Sequence, residues 1–390
     1  MTNVMTLGEV ATYINGRAFK PSEWEEAGLP IIRIQNLTES NKKYNYSSRT
    51  FDEKFRIQND DLLFAWSASL GAFIWKGGDA WLNQHIFKVE PKPFIQKRYL
   101  YYFLLYVIAD LYAKTHGSGM VHITKGPFMS TPIQVPSRPE QKRIVEKIDE
   151  LFSDLDAAES ELRVAKEKLE IYWHAILEKA FSKYRGPNRF LSDFIENPKY
   201  GTSQKCNYDI SDATAVYRIP NIDHQTGNID HSDIKFTILG EDEKEKLKLI
   251  PGDILMIRSN GSISLVGRCA LVKTCDIKGV FAGYLIRLRI KDIKQLRPEY
   301  LLYFLSTHEA RQYIESKAKS TSGVNNINAE EIKQILIPIC DIGEQSKIIK
   351  EIEIHEPLHK KSSQLIDFSL CKLNILRQSI LKQAFEGGLA

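Results

Sequence analysis

Two long stretches of this chain read as helices, and the first carries apolar residues at alternating steps of four and three. In the first, Ile144, Ile148, Leu151, Leu155, Ala158, Leu162, Ala165, Leu169, Tyr172, Ile176 and Ala180 form one seam. That spacing predicts a coiled-coil helix rather than a merely amphipathic surface helix. Pro139 stands in the first turn, where its missing N–H costs least, and Gly186-Pro187 closes the run. Some 45 residues at 1.5 Å each give a rod of roughly 65 Å. So long a seam needs a partner, and the second stretch supplies one, which predicts an antiparallel intramolecular pair.

The two stretches are copies. "EQKRIVEKI" begins at Glu140 and "EQSKIIKEI" at Glu344, and the match continues through Ile176-Leu177 with Ile380-Leu381 and Ala180-Phe181 with Ala384-Phe385. Upstream, "YLYYFL" from Tyr99 meets "YLLYFL" from Tyr300, "DDLLFAWS" meets "GDILMIRS", and "IRIQNL" meets "YRIPNI". An internal repeat therefore organises the whole chain. Its parts are residues 1–139, a helix over 140–186, residues 187–343, and a second helix over 344–390.

The regions before each helix read differently. Short runs such as "LPIIRI", "DLLFAW", "HIFKVE", "AVYRIP", "DILMIR" and "YLIRLRI" are β-rich and bounded by Gly, Asn, Asp and Pro. Each region adds one helical stretch, around Tyr99–Lys114 and Tyr300–Lys317, followed by a polar loop. The fold class is α+β, written twice.

Composition narrows the function classes. Apolar residues at 43% and charged residues at 26% are ordinary for a soluble globular protein. No run of 18 apolar residues exists, and the N-terminus lacks a basic segment followed by an apolar one, so neither a membrane span nor a signal peptide is expected. Five scattered cysteines without a CxxC fit reduced thiols in a cytoplasm and no zinc site. A net charge of +4 neither demands nor excludes a polyanionic partner.

Two motifs tempt. "HEPLH", His355 to His359, has the spacing of a zinc protease, but Pro357 lies between the histidines, no third ligand follows, and the repeat sets both opposite seam positions. "NPKY", Asn197 to Tyr200, approaches the tetrapeptide of adenine methyltransferases, but Lys199 replaces a proline and no glycine-rich turn is present to hold a methyl donor. No GxxxxGK[ST] phosphate loop exists either. No catalytic constellation and no metal site is expected in this chain.

The duplicated strand ending in proline, followed by Glu-Gln and an isoleucine-rich helix ("PIQVPSRPEQKRIVEKID" and "ILIPICDIGEQSKIIKEI"), resembles the specificity subunit of type I restriction–modification systems. "GDILMIRSNGS" and the Ser-Gly loops share that likeness, which covers the full length. The resemblance implies two β-rich target-recognition domains separated by two long helices in an antiparallel coiled coil, with a pseudo-twofold internal repeat. It implies a non-catalytic subunit, each domain reading one half of a bipartite, asymmetric double-stranded DNA target while the helices set the unread spacer. Two methyltransferase subunits would dock on equivalent surfaces, including Glu140, Gln141, Glu344 and Gln345, for adenine N6 methylation, and restriction subunits would add cleavage. S-adenosylmethionine would belong to the former, ATP and magnesium to the latter, and no cofactor to this chain. The sequence departs from the family in having "NDD" where Gly-Asp is usual, and in Pro357, which predicts a kinked or later-starting second helix.

Base edges are read by Arg, Asn and Gln, and phosphates by Lys, Arg, Ser and Thr. In the first copy such residues on loops are Arg17, Lys20, Arg33, Gln35, Asn36, Ser67, Ser69, His116, Ser118, His122 and Lys125. In the second they are Thr202, Ser203, Lys205, Arg218, Asn221, Arg258, Ser259, Asn260, Ser262, Lys319, Ser320, Ser322, Asn325 and Asn326. The rival reading is a coiled-coil adaptor that presents two β-rich protein-binding domains and does not touch DNA.

Overall fold

A computed structural model describes residues 3–38, 42–113, 125–183, 186–208, 213–223, 226–273, 279–321 and 323–387. The chain divides into two compact units, Met1–Glu161 with Leu370–Ala390, and Leu162–Ser369. Each unit therefore combines one β-rich region with a part of each long helix.

In the first unit, Ala11–Asn15, Ile86–Pro91, Leu62–Ala65 and Gly71–Ile74 lie side by side, in that order, as an antiparallel sheet. A second sheet has the order Asn45–Ser47, Leu29–Ile32, Ala80–Leu82, Arg56–Ile57, with Leu29–Ile32 and Ala80–Leu82 parallel. Asn3–Thr6 pairs with Pro132–Val135, the strand just before the long helix. The second unit repeats this. Lys199–Tyr200, Leu285–Leu288, Ile254–Ile257 and Cys269–Leu271 make the first sheet. Lys235–Thr237, Thr214–Tyr217 and Gly279–Phe281 make the second, its last pair again parallel. Asn188–Phe190 pairs with Leu336–Pro338.

The short apolar runs are strands buried on both faces. Leu62 and Phe64 enter the core beneath the helix Lys97–Ala113, while Leu63 and Ala65 enter the core against the second sheet. Ile254 and Met256 divide from Leu255 and Ile257 in the same way. Side chains that alternate between two dry layers give a continuous apolar run instead of an alternating one. Each fully buried large side chain contributes about 1.5–3 kcal/mol.

The long helices run over Arg138–Ser182 and Ile342–Glu386. Their pairing is antiparallel in both units. In the first, Val145 and Ile148 share a core with Leu381 and Phe385, while Arg377 reaches Glu159 at 2.6 Å. In the second, Leu177 packs in one core with Ile348 and Ile352, Trp173 stacks on His359, and Lys183 pairs with Glu351 at 2.7 Å. A partly exposed ion pair such as Lys183 with Glu351 is worth about 0–1 kcal/mol, so the apolar contacts in these two cores carry most of the pairing.

Two sequence expectations are corrected, and one departure is explained. Pro357 neither delays nor interrupts the second helix, which starts at Ile342 and holds the proline inside it. The turn is held from the side: Tyr172 Oη lies 3.4 Å from His355 Nδ1, and His359 is 5% exposed against Trp173. The helical stretch expected as one piece from Tyr300 is two helices, Pro298–Phe304 and His308–Lys317. Thr307 divides them; its hydroxyl donates to Phe304 O at 2.7 Å and caps the second helix by accepting from Ala310 N. Finally, the unusual Asp60 stands in the role of Gly252. Both have positive φ, 73° and 91°, and their amides donate to equivalent carbonyls, Trp75 O and Val272 O, each at 2.8 Å. Aspartate tolerates the left-handed region better than most side chains.

Candidate nucleic-acid interface

Each unit has a cleft at the same place in its repeat. In the first, a cleft of about 290 Å³ is lined by Arg33, Gln35, Ser69, Asn83, Gln84 and His85, among others. In the second, a cleft of about 560 Å³ is lined by Thr202, Arg218, Lys235, Arg258, Gly283 and Tyr284, among others. Four main-chain bonds fix the equivalence. Arg17 N to Leu82 O matches Thr202 N to Phe281 O, and Gln84 N to Arg17 O matches Gly283 N to Thr202 O. Asn83 N to Ile32 O matches Ala282 N to Tyr217 O, and Trp66 N to His85 O matches Arg258 N to Tyr284 O. One backbone frame thus carries two different sets of side chains.

Several candidates named from sequence converge here. Arg33, Gln35 and Ser69 share the first cleft, and Thr202, Ser203, Arg218 and Arg258 the second. The loop of Ser259, Asn260 and Ser262 joins the segments of Lys319, Ser320, Asn325 and Asn326 in a small three-stranded sheet. Asn325 Nδ2 donates to Gly261 O at 2.9 Å, and Asn260 Oδ1 accepts from Ser262 N at 2.8 Å, so these amides shape the loop. Lys20, Lys125 and Lys205 are exposed. His116, Ser118, His122 and Ser322 lie outside the described residues.

Other candidates are occupied within the protein. Arg17 forms a two-pronged pair with Glu23, at 2.6 and 3.1 Å, which holds that carboxyl well below the usual range. Arg218 pairs with Asp233 at 2.8 Å. Asn221 is fully buried; its Oδ1 accepts from Arg218 N and its Nδ2 donates to Asp230 O and Asp233 O. Its counterpart Asn36 likewise accepts from Arg33 N, at 3.1 Å. These two asparagines hold turns, with their amide groups engaged by the main chain. Ser67 and Ser259 are also buried, and Thr202, which lines the second cleft, is only 4% exposed.

The expected docking role of Gln141 and Gln345 is corrected too. Both are wholly buried. Gln141 Oε1 accepts from Gln96 N at 2.7 Å, and its Nε2 donates to Phe94 O and Pro136 O at 3.1 and 2.9 Å. Gln345 repeats the pattern with Arg297 N, Gln295 O and Cys340 O, each at 2.9 Å. They lock the start of each long helix to the main chain of its own β-rich region. Glu140, half-exposed, pairs with Arg143 at 2.8 Å, and Glu344 N donates to Asp341 Oδ1 at 3.0 Å.

The tempting motifs resolve into structure. In "HEPLH", His359 stacks on Trp173 with ring centroids 4.7 Å apart, and burial pushes its pKa below the ordinary histidine value. No group of three metal-ligating side chains occurs among the described residues. In "NPKY", Lys199–Tyr200 is an edge strand. Tyr200 lies under the Arg258 guanidinium at 4.8 Å, and its hydroxyl accepts from Ala329 N at 3.0 Å.

Sequence reading missed Asn83, Gln84, His85, Lys235 and Tyr284. A signal was present: "WLNQHIF" and "VFAGYLI" are the turns between equivalent strands, but they lack the literal identity that marked the other pairs.

Comparison with known proteins agrees with this duplicated architecture. The family described as the type I restriction modification DNA specificity domain matches residues 2–164 and again 188–366. The chain is 27% identical to the EcoKI specificity subunit of Escherichia coli K12, over 99% of this chain and 89% of that one. It is 26% identical to the StySPI specificity subunit of Salmonella potsdam, over 97% and 87%. A chain from a solved structure of a type I R-M system superposes with a TM-score of 0.60 at 17% identity, covering 99% of this chain and 98% of that one. With both β-rich regions matched and each followed by its locked helix, this chain belongs to the family of type I restriction–modification DNA specificity subunits.

Proposed function

We propose that each unit reads one half of a bipartite, asymmetric double-stranded DNA target through its cleft and adjoining loops. The observation that carries this reading is the backbone frame written twice with different side chains, which is what two dissimilar half-sites require. The paired helices set the unread spacer and dock two methyltransferase subunits, which bring S-adenosylmethionine and perform adenine N6 methylation. Restriction subunits with ATP and magnesium convert the assembly to a nuclease. Exposed apolar side chains on the second helix support docking there: within the second unit Ile354, Leu358 and Leu365 are each more than half exposed and fall on one face. Among the described residues no helix is long and apolar enough to cross a membrane.

The purified chain alone is expected to show no methylation and no cleavage. Co-expressed with the methyltransferase subunit of its own system, it supports adenine methylation at a split target, read by methylome sequencing. Methylation by this chain alone, with turnover, would overturn the assignment. A four-residue insertion near Ala157, about 6 Å of added helix, tests the spacer role. We expect a spacer one or two base pairs longer with both half-sites kept, or loss of assembly. Full activity at the original spacing would show that the helices do not set it.

A further inference from the structure

We infer that the two clefts read by different chemistry: the carboxamides of Asn83 and Gln84 read an adenine in the first half-site, and the guanidinium of Arg258 reads a guanine in the second. This rests on the reading of the clefts as DNA-recognition sites and adds the readers and the bases.

The shared frame makes the comparison residue by residue. Asn83 and Gln84 occupy the positions of Ala282 and Gly283, and Trp66 the position of Arg258. In the first unit, the strand end offers no forked donor. The Trp66 indole donates to Asn15 Oδ1 at 3.1 Å and stacks on Phe87, with centroids 5.7 Å apart. The donors and acceptors sit instead on the turn, where Gln84 is exposed and Asn83 half-buried. Their main chain is pinned by Arg17 O and Ile32 O, at 2.8 and 3.0 Å. A carboxamide both accepts and donates, which matches the adenine N6 and N7 pair.

In the second unit the polarity is reversed. The turn carries almost no side chain at Ala282 and Gly283, and Arg258 extends over it, its Nη1 donating to Gly283 O at 3.1 Å. Tyr200 packs beneath the guanidinium, its ring centroid 4.8 Å from Arg258 Cζ, and supports it from that side. A planar fork held in advance of binding is the donor set that guanine O6 and N7 accept. Among the described residues no carboxylate pairs with Arg258 in the way that Glu23 pairs with Arg17 and Asp233 with Arg218.

The test uses the full chain assembled with its methyltransferase subunit. The probes are duplexes that carry the target found by methylome sequencing, with every base pair substituted in turn. Gln84→Ala is expected to lower discrimination at one adenine of the first half-site by about five- to hundredfold, leaving the second half-site profile unchanged. Arg258→Ala does the same at one guanine of the second half-site only. Each untouched half-site reports that the variant is folded. If Gln84→Ala does not assemble, Gln84→Ser, which keeps a polar surface, is measured in its place. An unchanged profile, or relaxation at a base other than those named, overturns the inference while leaving the clefts' DNA role intact. A wild-type complex with no preference at either half-site would instead overturn the underlying reading.

Discussion

Exchanging residues 1–139 for the corresponding region of another family member is expected to replace one half of the DNA target and leave the other half unchanged. The first cleft, its turn and its frame bonds all lie within that region, and the described lining of the second cleft falls within residues 202–284. The junction tolerates exchange because the Gln141 lock grips main-chain groups at Phe94, Gln96 and Pro136, which any sequence of the same fold provides. Packing sets the remaining condition. Val145, Ile148, Leu381 and Phe385 from the retained helices enter the same core as Tyr99, Phe103 and Phe128, so the incoming region must fill that core to similar volume. A mismatch of one large side chain costs about 2–5 kcal/mol. Methylome sequencing of the exchanged subunit with its methyltransferase partner decides the outcome. If both half-sites change together, or the one that changes is assigned to the second unit, the model of two independent readers is wrong.

What was legible in the sequence follows from the kind of pattern that each feature leaves. The helices were legible because a seam repeated over many turns has no competing explanation, and the strands because runs such as "DLLFAW" and "DILMIR" recur at matching places. Recognition side chains leave no such pattern. Asn221 and Gln35 look alike as loop amides, yet one is buried with its Oδ1 and Nδ2 all engaged and the other lines a cleft. Arg17 and Arg258 are both loop arginines, and only the fold sets a carboxylate against the first. Gln84 escaped notice because its equivalent is a glycine, so nothing in the repeat marked the position; four main-chain bonds reveal it. Pro357 misled because a proline inside a helix is a local penalty of about 3 kcal/mol, while the seam that keeps the helix intact is spread over many residues.

Gln141→Ala is expected to destabilise the first unit by about 2–4 kcal/mol, and Gln345→Ala the second by a similar amount. Each substitution strips the partner from one main-chain N–H and two carbonyls beside a glutamine that is itself wholly inaccessible to water. Leaving such groups unsatisfied costs more than a hydrogen bond contributes, and domains hold only about 5–15 kcal/mol in total. Gln141→Glu should be worse still. Its carboxylate keeps the acceptor for Gln96 N, but it turns the donor facing Phe94 O and Pro136 O into a buried negative oxygen against two carbonyls. Glu140→Ala is the contrast: it loses one exposed pair with Arg143, worth at most about 1 kcal/mol. Two units need not unfold together, so hydrogen exchange followed peptide by peptide is the measurement. Gln141→Ala should lose protection across residues 1–161, and Gln345→Ala across residues 162–369. The repeated glutamine is then a lock between each long helix and the β-rich region before it, which explains why it is written once per repeat. A Gln141→Ala chain that exchanges like wild type, yet fails to bind the methyltransferase subunit, would return that glutamine to a partner surface.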